Sequence, residues 1–186
     1  MNKKYERTDE TQEWNGRTLH RIRALADFGD VKAGELGGWI EKEENLSHNG
    51  NAWVYGDAQV CGDAWVCGDA RVYGNARVCD NAWVCGNAWV YGDARVYGNA
   101  WVCDNAGIFK TSDYFTSGPI GSRRNATITF FRCKDGKIRA TTGCFYGDLD
   151  QLEAAVRSKH QNNNYAQAYM AVIAAAKAQI GADQNV

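Results

Sequence analysis

The amino-acid sequence predicts a mainly β fold: a triangular parallel β-helix with three hexapeptides per coil, an N-terminal cap and a small C-terminal α+β unit. Three observations support this prediction. Residues 50–109 hold ten six-residue repeats in one unbroken register. Each repeat joins a Gly-Asp, Gly-Asn or Asp-Asn corner to a four-residue alternation in which Ala and Val (once Ile) share one side. The chain after the repeats instead carries a hairpin pattern and two stretches of helical periodicity.

The alternation within each repeat explains the coil. Ala recurs at every sixth position from Ala52 to Ala106, and Val or Ile recurs from Val54 to Ile108. In a strand these two positions lie on one face, so both point into the prism. Gly, Asn and Asp tolerate the left-handed backbone that a sharp corner needs. Three hexads close one coil, coils stack at about 4.8 Å, and the ten hexads give slightly more than three coils.

The side chains on either side of Val point outward and sort into three faces, because every third hexad returns to the same side of the triangle. The first face has Trp53, Tyr55, Arg71, Tyr73, Trp89, Tyr91, Gly107 and Phe109. The second face has Gln59, Cys61, Arg77, Cys79, Arg95 and Tyr97. The third face has Trp65, Cys67, Trp83, Cys85, Trp101 and Cys103.

The three faces differ in what they predict about binding. The third is uncharged and apolar, which favours a buried contact with another subunit or with the chain's own C-terminal segment. The first is an aromatic column with one arginine, which is compatible with an interface or with stacking for stability alone. The second is the most polar. Its stacked Arg77 and Arg95 could meet an anionic group, but a solvated pair is the favoured interpretation.

The segments that flank the repeats complete the predicted organisation. Residues 1–49 form an N-terminal capping segment, which a β-helix needs because its ends carry unpaired backbone groups. Ile40 and Leu46 are six residues apart, so an imperfect first coil is expected there. Residues 110–125 are rich in turn formers and are predicted to be a linker.

Residues 126–186 are predicted to fold as an α+β unit. A β-hairpin is expected around the Asp-Gly turn at 135–136. A capping-box pattern at Asp148 and Gln151 predicts a helix over about 148–159. A second helix is predicted over about 164–180, closed by Gly181.

The repeat pattern resembles the hexapeptide-repeat, left-handed β-helix family, and the left hand of the helix is implied by that resemblance. LGGWIE at 36–41, ENLS at 44–47, the GNAWVYGDA repeats and TGCFYGDLDQL at 142–152 are together similar to an uncharacterised class of such proteins common in phages and prophages. The resemblance implies a phage accessory protein that forms a homo-oligomer, either a trimer or a dimer.

Enzymes that share this repeat need groups that the repeats lack. Hexapeptide acyltransferases use a histidine beside the helix and a loop extruded from a coil, and residues 50–109 contain neither. Gamma-type carbonic anhydrases need three histidines converging on zinc. Cys67, Cys85 and Cys103 lie in line rather than in a tetrahedral pocket, and Cys144 with His160 is a weak nucleophile–base pattern. No catalytic residue, metal site or cofactor is predicted.

The composition of the chain limits which binding partners and which cellular location are expected. The formal net charge of −1 gives no general attraction to nucleic acid. The N-terminus has no apolar signal segment, and no stretch approaches the ~18 apolar residues of a membrane span. Five of the seven cysteines recur at one phase of the repeat, so they are expected to be thiols that pack side by side. A cytoplasmic location in a bacterial host cell, away from membranes, is expected.

The favoured functional hypothesis is a non-enzymatic, oligomeric phage or prophage protein that binds a host protein, as an inhibitor of a bacterial defence system. One alternative is a sponge for a small ligand such as a nucleotide, with pockets of Trp, Tyr and Arg at subunit boundaries. The other is a degenerate hexapeptide acyltransferase.

Overall fold

The structure is a computed structural model that describes residues 3–121 and 126–181. The chain divides into two compact units, Met1–Thr111 and Ser112–Val186. The first is a β-solenoid and the second combines an antiparallel sheet with two helices. The predicted fold class is therefore confirmed. Among the described residues, no helix combines the length and the hydropathy needed to cross a bilayer.

The first unit begins with a hairpin of β1 (Tyr5–Trp14) and β2 (Arg17–Ala24), followed by β3 (Leu36–Ile40) and a 3₁₀ helix at Glu43–Asn45. Each of the ten hexads then contributes one two-residue strand. These strands are β4 (Trp53–Val54), β5 (Gln59–Val60), β6 (Trp65–Val66), β7 (Arg71–Val72), β8 (Arg77–Val78), β9 (Trp83–Val84), β10 (Trp89–Val90), β11 (Arg95–Val96), β12 (Trp101–Val102) and β13 (Gly107–Ile108).

The short strands stack in three parallel sheets, one for each predicted face. Their orders are β4-β7-β10-β13, β3-β5-β8-β11 and β6-β9-β12, and the hairpin strands β1 and β2 extend the second of these sheets beyond β3 by antiparallel pairing. Each residue pairs with the residue 18 positions further on, as Trp65 does with Trp83. In the imperfect first coil, Ile40 pairs with Val60 and Leu46 bridges to Val66. The solenoid therefore has about four coils.

The interior and the corners follow from the residue types. The Ala and Val positions of the hexads are at most 1 % exposed, so they form one continuous core. The corners need a positive φ, which most hexads supply with glycine. Asp80 and Asp104 occupy the same position with φ of 62° and 58°, as expected from the tolerance of Asp for the left-handed region.

The N-terminal end of the solenoid is closed by donors from residues 3–49. Backbone N–H groups of each coil bond to carbonyls of the following coil, as Trp65 N–H does to Ala82 O. The carbonyls of the first coil would therefore lack donors. Asn45 is fully buried, and its Nδ2 donates to the carbonyls of Ala64 at 2.8 Å and Gly62 at 3.0 Å. The Asn45 side chain thus supplies hydrogen-bond donors that the backbone of a preceding coil would otherwise provide.

Lys4 closes a second corner in the same way. Its Nζ donates to the carbonyls of Ala52 at 2.8 Å and Gly50 at 3.3 Å, and it lies 4.8 Å from the ring centre of Phe28. The residue is only 6 % exposed. Burial lowers the pKa of the Lys4 ammonium to about 8, although the nearby Asp69 carboxylate opposes this shift.

Raising the pH is therefore expected to stabilise the wild-type protein relative to Lys4→Met. Between pH 8 and the ordinary lysine pKa of 10.5, the unfolded chain holds a proton on Lys4 that the folded chain has lost. Stability rises with pH wherever the unfolded state binds more protons. The gain across this window is up to about 3 kcal/mol. Urea unfolding of both proteins at a series of pH values measures it, and a constant difference between them would contradict it.

The second unit is a four-stranded antiparallel meander followed by two helices. The strands are β14 (Tyr114–Ser117), β15 (Ile128–Arg132), β16 (Ile138–Thr142) and β17 (Phe145–Asp148), and the helices are α1 (Leu149–His160) and α2 (Asn164–Gly181). The predicted hairpin and both helices are confirmed. The helices pack their apolar sides on Ile128, Phe130 and Ala140 of the sheet.

Two strands of this sheet, β14 and β17, were not predicted. Tyr114–Ser117 lies within the stretch 110–125 that the sequence assigns to a linker, yet it pairs antiparallel with β15. The residues around β14 are turn formers, so the local composition predicts a loop. The pairing with β15 depends on residues further along the chain and leaves no signal in that composition. The remainder of the expected linker includes residues 122–125, which lie outside the described residues.

Candidate functional site

The third predicted face lies on the outside of the β6-β9-β12 sheet, and we call its six residues the tryptophan face. Trp65, Trp83 and Trp101 are 36 %, 45 % and 38 % exposed. Successive ring centres are 5.4 and 6.0 Å apart, with the ring planes at 82° and 73°. Edge-to-face contacts of this kind stabilise the ladder. They also leave part of every indole open to solvent.

The other half of the tryptophan face is a column of half-buried thiols. Trp101 Nε1 donates to Cys85 Sγ at 3.2 Å. Hydrogen bonds from Cys103 and Cys67, with that of Trp101, lower the pKa of the Cys85 thiol against the opposing effect of burial. The hydrogen bond to Cys85 raises the pKa of Cys67. Across the described residues, no group of three or more His, Cys, Asp or Glu side chains is arranged to hold a metal ion.

Cys85 is therefore expected to be more reactive than Cys67. At neutral pH, iodoacetamide should modify Cys85 about tenfold faster than Cys67, since the thiolate is the nucleophile. Trp101→Phe removes one stabilising donor and should slow the reaction. Trp65→Phe is the matched control, because within the described part of the chain this indole makes no such bond to a thiol. Mass spectrometry of peptides after timed alkylation measures the rates. Equal rates at Cys85 and Cys67 would contradict the assignment.

Trp53 requires a correction. The sequence places it with the outward residues of the first face, but it is 0 % exposed. Its ring centre lies 5.3 Å from that of Phe28 and 6.1 Å from that of Tyr5. The N-terminal hairpin and the loop after it supply these two residues and cover the first coil. Trp53 is thus part of the buried cap and not an exposed binding residue.

The remainder of the first face is a continuous aromatic column. Tyr73 stacks on Tyr91 at 5.3 Å with the planes at 13°, and its edge meets Tyr55 at 6.2 Å. Arg71 Nη1 lies 2.8 Å from Asp30 Oδ2, and the hydroxyl of Tyr55 donates to Asp30 Oδ1. A depression of about 300 Å³ is lined here by Asp30, Tyr55, Arg71, Tyr73 and Trp89. Because Asp30 neutralises Arg71, this column carries no unpaired positive charge for an anionic ligand.

The second face is partly covered rather than uniformly polar. Arg77 lies over the ring of Trp14, 5.1 Å from its centre. Cys61 and Cys79 are buried, with their sulfur atoms 2.7 Å apart, beside Leu19. Arg95 pairs with Arg77 in the sheet and is exposed. The polarity that the sequence predicts is therefore concentrated at the C-terminal end of this face.

The histidines are not part of strands β4–β13, although His48 lines a depression beside Trp65 and Trp83. His48 stacks on Tyr5 at 4.3 Å, and its Nε2 lies 2.9 Å from Glu43 Oε1. His48 Nδ1 also accepts a hydrogen bond from Lys4 N–H. Both ring nitrogens are thus used by the N-terminal cap. His20 lies on β2, and His160 ends α1 in the second unit.

Comparisons with known proteins match part of the solenoid. Residues 64–79, 70–86 and 88–104 match the family model described as "YdcK Beta solenoid repeat". A curated relative from Escherichia coli (strain K12), "Uncharacterized acetyltransferase YdcK", is 51 % identical over 37 residues. That match covers 20 % of this chain and 11 % of the relative. The similarity therefore supports the β-solenoid, and the chain spans about a tenth of the curated relative that it matches.

Proposed function

We propose that this chain is a non-enzymatic accessory protein of phage or prophage type, which binds a protein of its bacterial host through the tryptophan face. The observation that carries the proposal is the ladder of Trp65, Trp83 and Trp101, each more than a third exposed. Single exposed apolar residues are ordinary on a protein surface. A contiguous row of large ones is characteristic of a binding site.

The composition of the tryptophan face favours a protein partner. It holds three indoles and three cysteines and no Asp, Glu, Lys or Arg side chain. Interface cores are enriched in aromatic residues and depleted of charge, and Trp is frequent among the residues that contribute most to affinity. A nucleic acid would instead require cations along the same surface.

The rigidity of the solenoid adds to this argument. Each strand of the tryptophan face is held by backbone bonds to a neighbouring coil, such as Trp83 N–H to Ala100 O at 2.8 Å. Ring-to-ring contacts fix the indoles further. A preorganised surface loses little conformational entropy on binding, which favours affinity. The phage-type resemblance supports a host protein as the partner and inhibition of a defence system as the consequence.

Affinity purification of the tagged full-length chain from bacterial lysate tests the proposal. We expect one host protein in near-stoichiometric amount, identified by mass spectrometry. Light scattering on the purified chain distinguishes a host partner from self-association, which would give a homo-oligomer by the same face. Elution of the chain alone, as a monomer, would contradict both the host partner and the oligomer.

Acyl transfer is a second candidate, favoured by the match to a curated acetyltransferase. It would need a general base within hydrogen-bond reach of the acceptor. The solenoid segment 50–109 has no histidine, and both nitrogens of His48 are used by the cap. A rise in melting temperature on adding acetyl-CoA would support this candidate, and an unchanged melting curve would weigh against it.

A further inference from the structure

The second unit contains a cavity of about 240 Å³ between the β16–β17 turn, α1 and α2. Leu152 and Val156, which are buried, line its inner end together with Phe145. Ala155 is exposed and lies at its outer end. The cavity is thus apolar inside and open at one side, as small-molecule sites usually are.

A tight turn places a thiol at the open end. Thr142 of β16 pairs with Phe145 of β17, so Gly143 and Cys144 form a two-residue hairpin loop. Gly143 has φ of 58°, which a two-residue turn with glycine first requires. This geometry leaves Cys144 exposed while it still lines the cavity.

The open end is also positively charged. Lys159 lines the cavity, is exposed and has no ion-pair partner among the residues that the structure describes. His160 beside it stacks on Tyr169 of α2, with ring centres 5.7 Å apart and planes at 24°. No acidic side chain lines the described part of the cavity. An anionic group would therefore meet Lys159 without competition.

We propose that this cavity binds a small amphipathic carboxylate, with its apolar chain against Leu152 and Val156 and its carboxylate at Lys159. A dry cavity of about 150 Å³ holds benzene, so 240 Å³ accommodates a chain of about ten non-hydrogen atoms. The site lies within the second unit and involves no residue of the tryptophan face. The two proposals can therefore fail separately.

Cys144 reports directly on occupancy. Octanoate, which has the required size and charge, is expected to slow alkylation of Cys144 by iodoacetamide in the full-length chain. Acetate, which lacks the chain, should not slow it. Lys159→Gln should weaken octanoate binding about fivefold by removing a charge-assisted hydrogen bond. The alkylation rate of the Cys144 peptide, measured by mass spectrometry against octanoate concentration, gives the affinity.

Two alanines of α1 provide matched variants. Ala154 and Ala155 are both exposed, but only Ala155 lines the cavity. Ala155→Trp should fill the open end and abolish protection, whereas Ala154→Trp should keep it. Ala155→Leu is a milder replacement if the larger side chain prevents folding. Octanoate that leaves Cys144 equally reactive in the wild type, or that protects it equally in Ala155→Trp, would overturn the proposal.

Discussion

Trp53→Ala is expected to lower the free energy of unfolding by about 3–5 kcal/mol, the cost of removing a large buried aromatic side chain. The indole is fully buried between Tyr5 and Phe28. Its Cζ2 would lie 2.6 Å from a Cβ placed on Gly37, so it also fills the space beside β3. Alanine would leave a cavity at the junction of the cap and the first coil. Urea unfolding followed by circular dichroism measures the change.

Trp89→Ala is the matched control for this prediction. Trp89 occupies the same hexad position on the same face but is 37 % exposed, so its loss should cost only about 1 kcal/mol. Trp53→Phe should also be mild, because Trp53 Nε1 has no hydrogen-bond partner among the described residues. Equal destabilisation by Trp53→Ala and Trp89→Ala would show that the N-terminal hairpin does not cover Trp53 in solution.

Trp83→Asp is expected to abolish capture of the host partner while the protein stays folded. Trp83 is central in the ladder and is 45 % exposed. A carboxylate there would bury an unpaired charge in any interface formed by the tryptophan face, which costs several kcal/mol. Loss of about 3 kcal/mol corresponds to a more than hundredfold weaker complex. Titration calorimetry with the captured partner measures the affinity.

Arg95→Asp serves as the control for Trp83→Asp. Arg95 is exposed on the second face, so the exchange introduces the same carboxylate away from the ladder. We expect Arg95→Asp to retain the partner and both variants to melt within a few degrees of the wild type. Capture that survives Trp83→Asp would move the interface to another face.

The solenoid could be predicted because its information is local and repeated. Ala and Val at fixed phase determine the interior, and Gly, Asn and Asp determine the corners. The same reasoning predicted α1, whose capping box has Gln151 N–H donating to Asp148 Oδ1 at 2.8 Å and Asp148 N–H donating to Gln151 Oε1 at 3.0 Å. Both patterns involve residues that are close in the chain, and interactions between such residues can be predicted from the sequence alone.

The features that escaped prediction depend on residues distant in sequence. Trp53 and Trp89 stand in the same six-letter context, and only the cover supplied by Tyr5 and Phe28 distinguishes them. That cover includes β1, which is polar and charged and carries no strong strand signal. The cavity of the second unit likewise brings Cys144 beside His160 only because β17 runs directly into α1 and α2 folds back on it.

The pairing of each residue with the one 18 positions later limits how this chain can change in length. Duplication or deletion of 18 residues adds or removes one whole coil and leaves every later side chain on its original side. A change of six residues would rotate everything after it by a third of a turn: a deletion between Trp83 and Trp101 would place Trp101 after Arg77 on the second face, and an insertion there would place it after Trp89 on the first face. Duplication of a single coil can therefore lengthen the tryptophan face, and deletion of a single coil can shorten it. A six-residue insertion or deletion within the face would divide it.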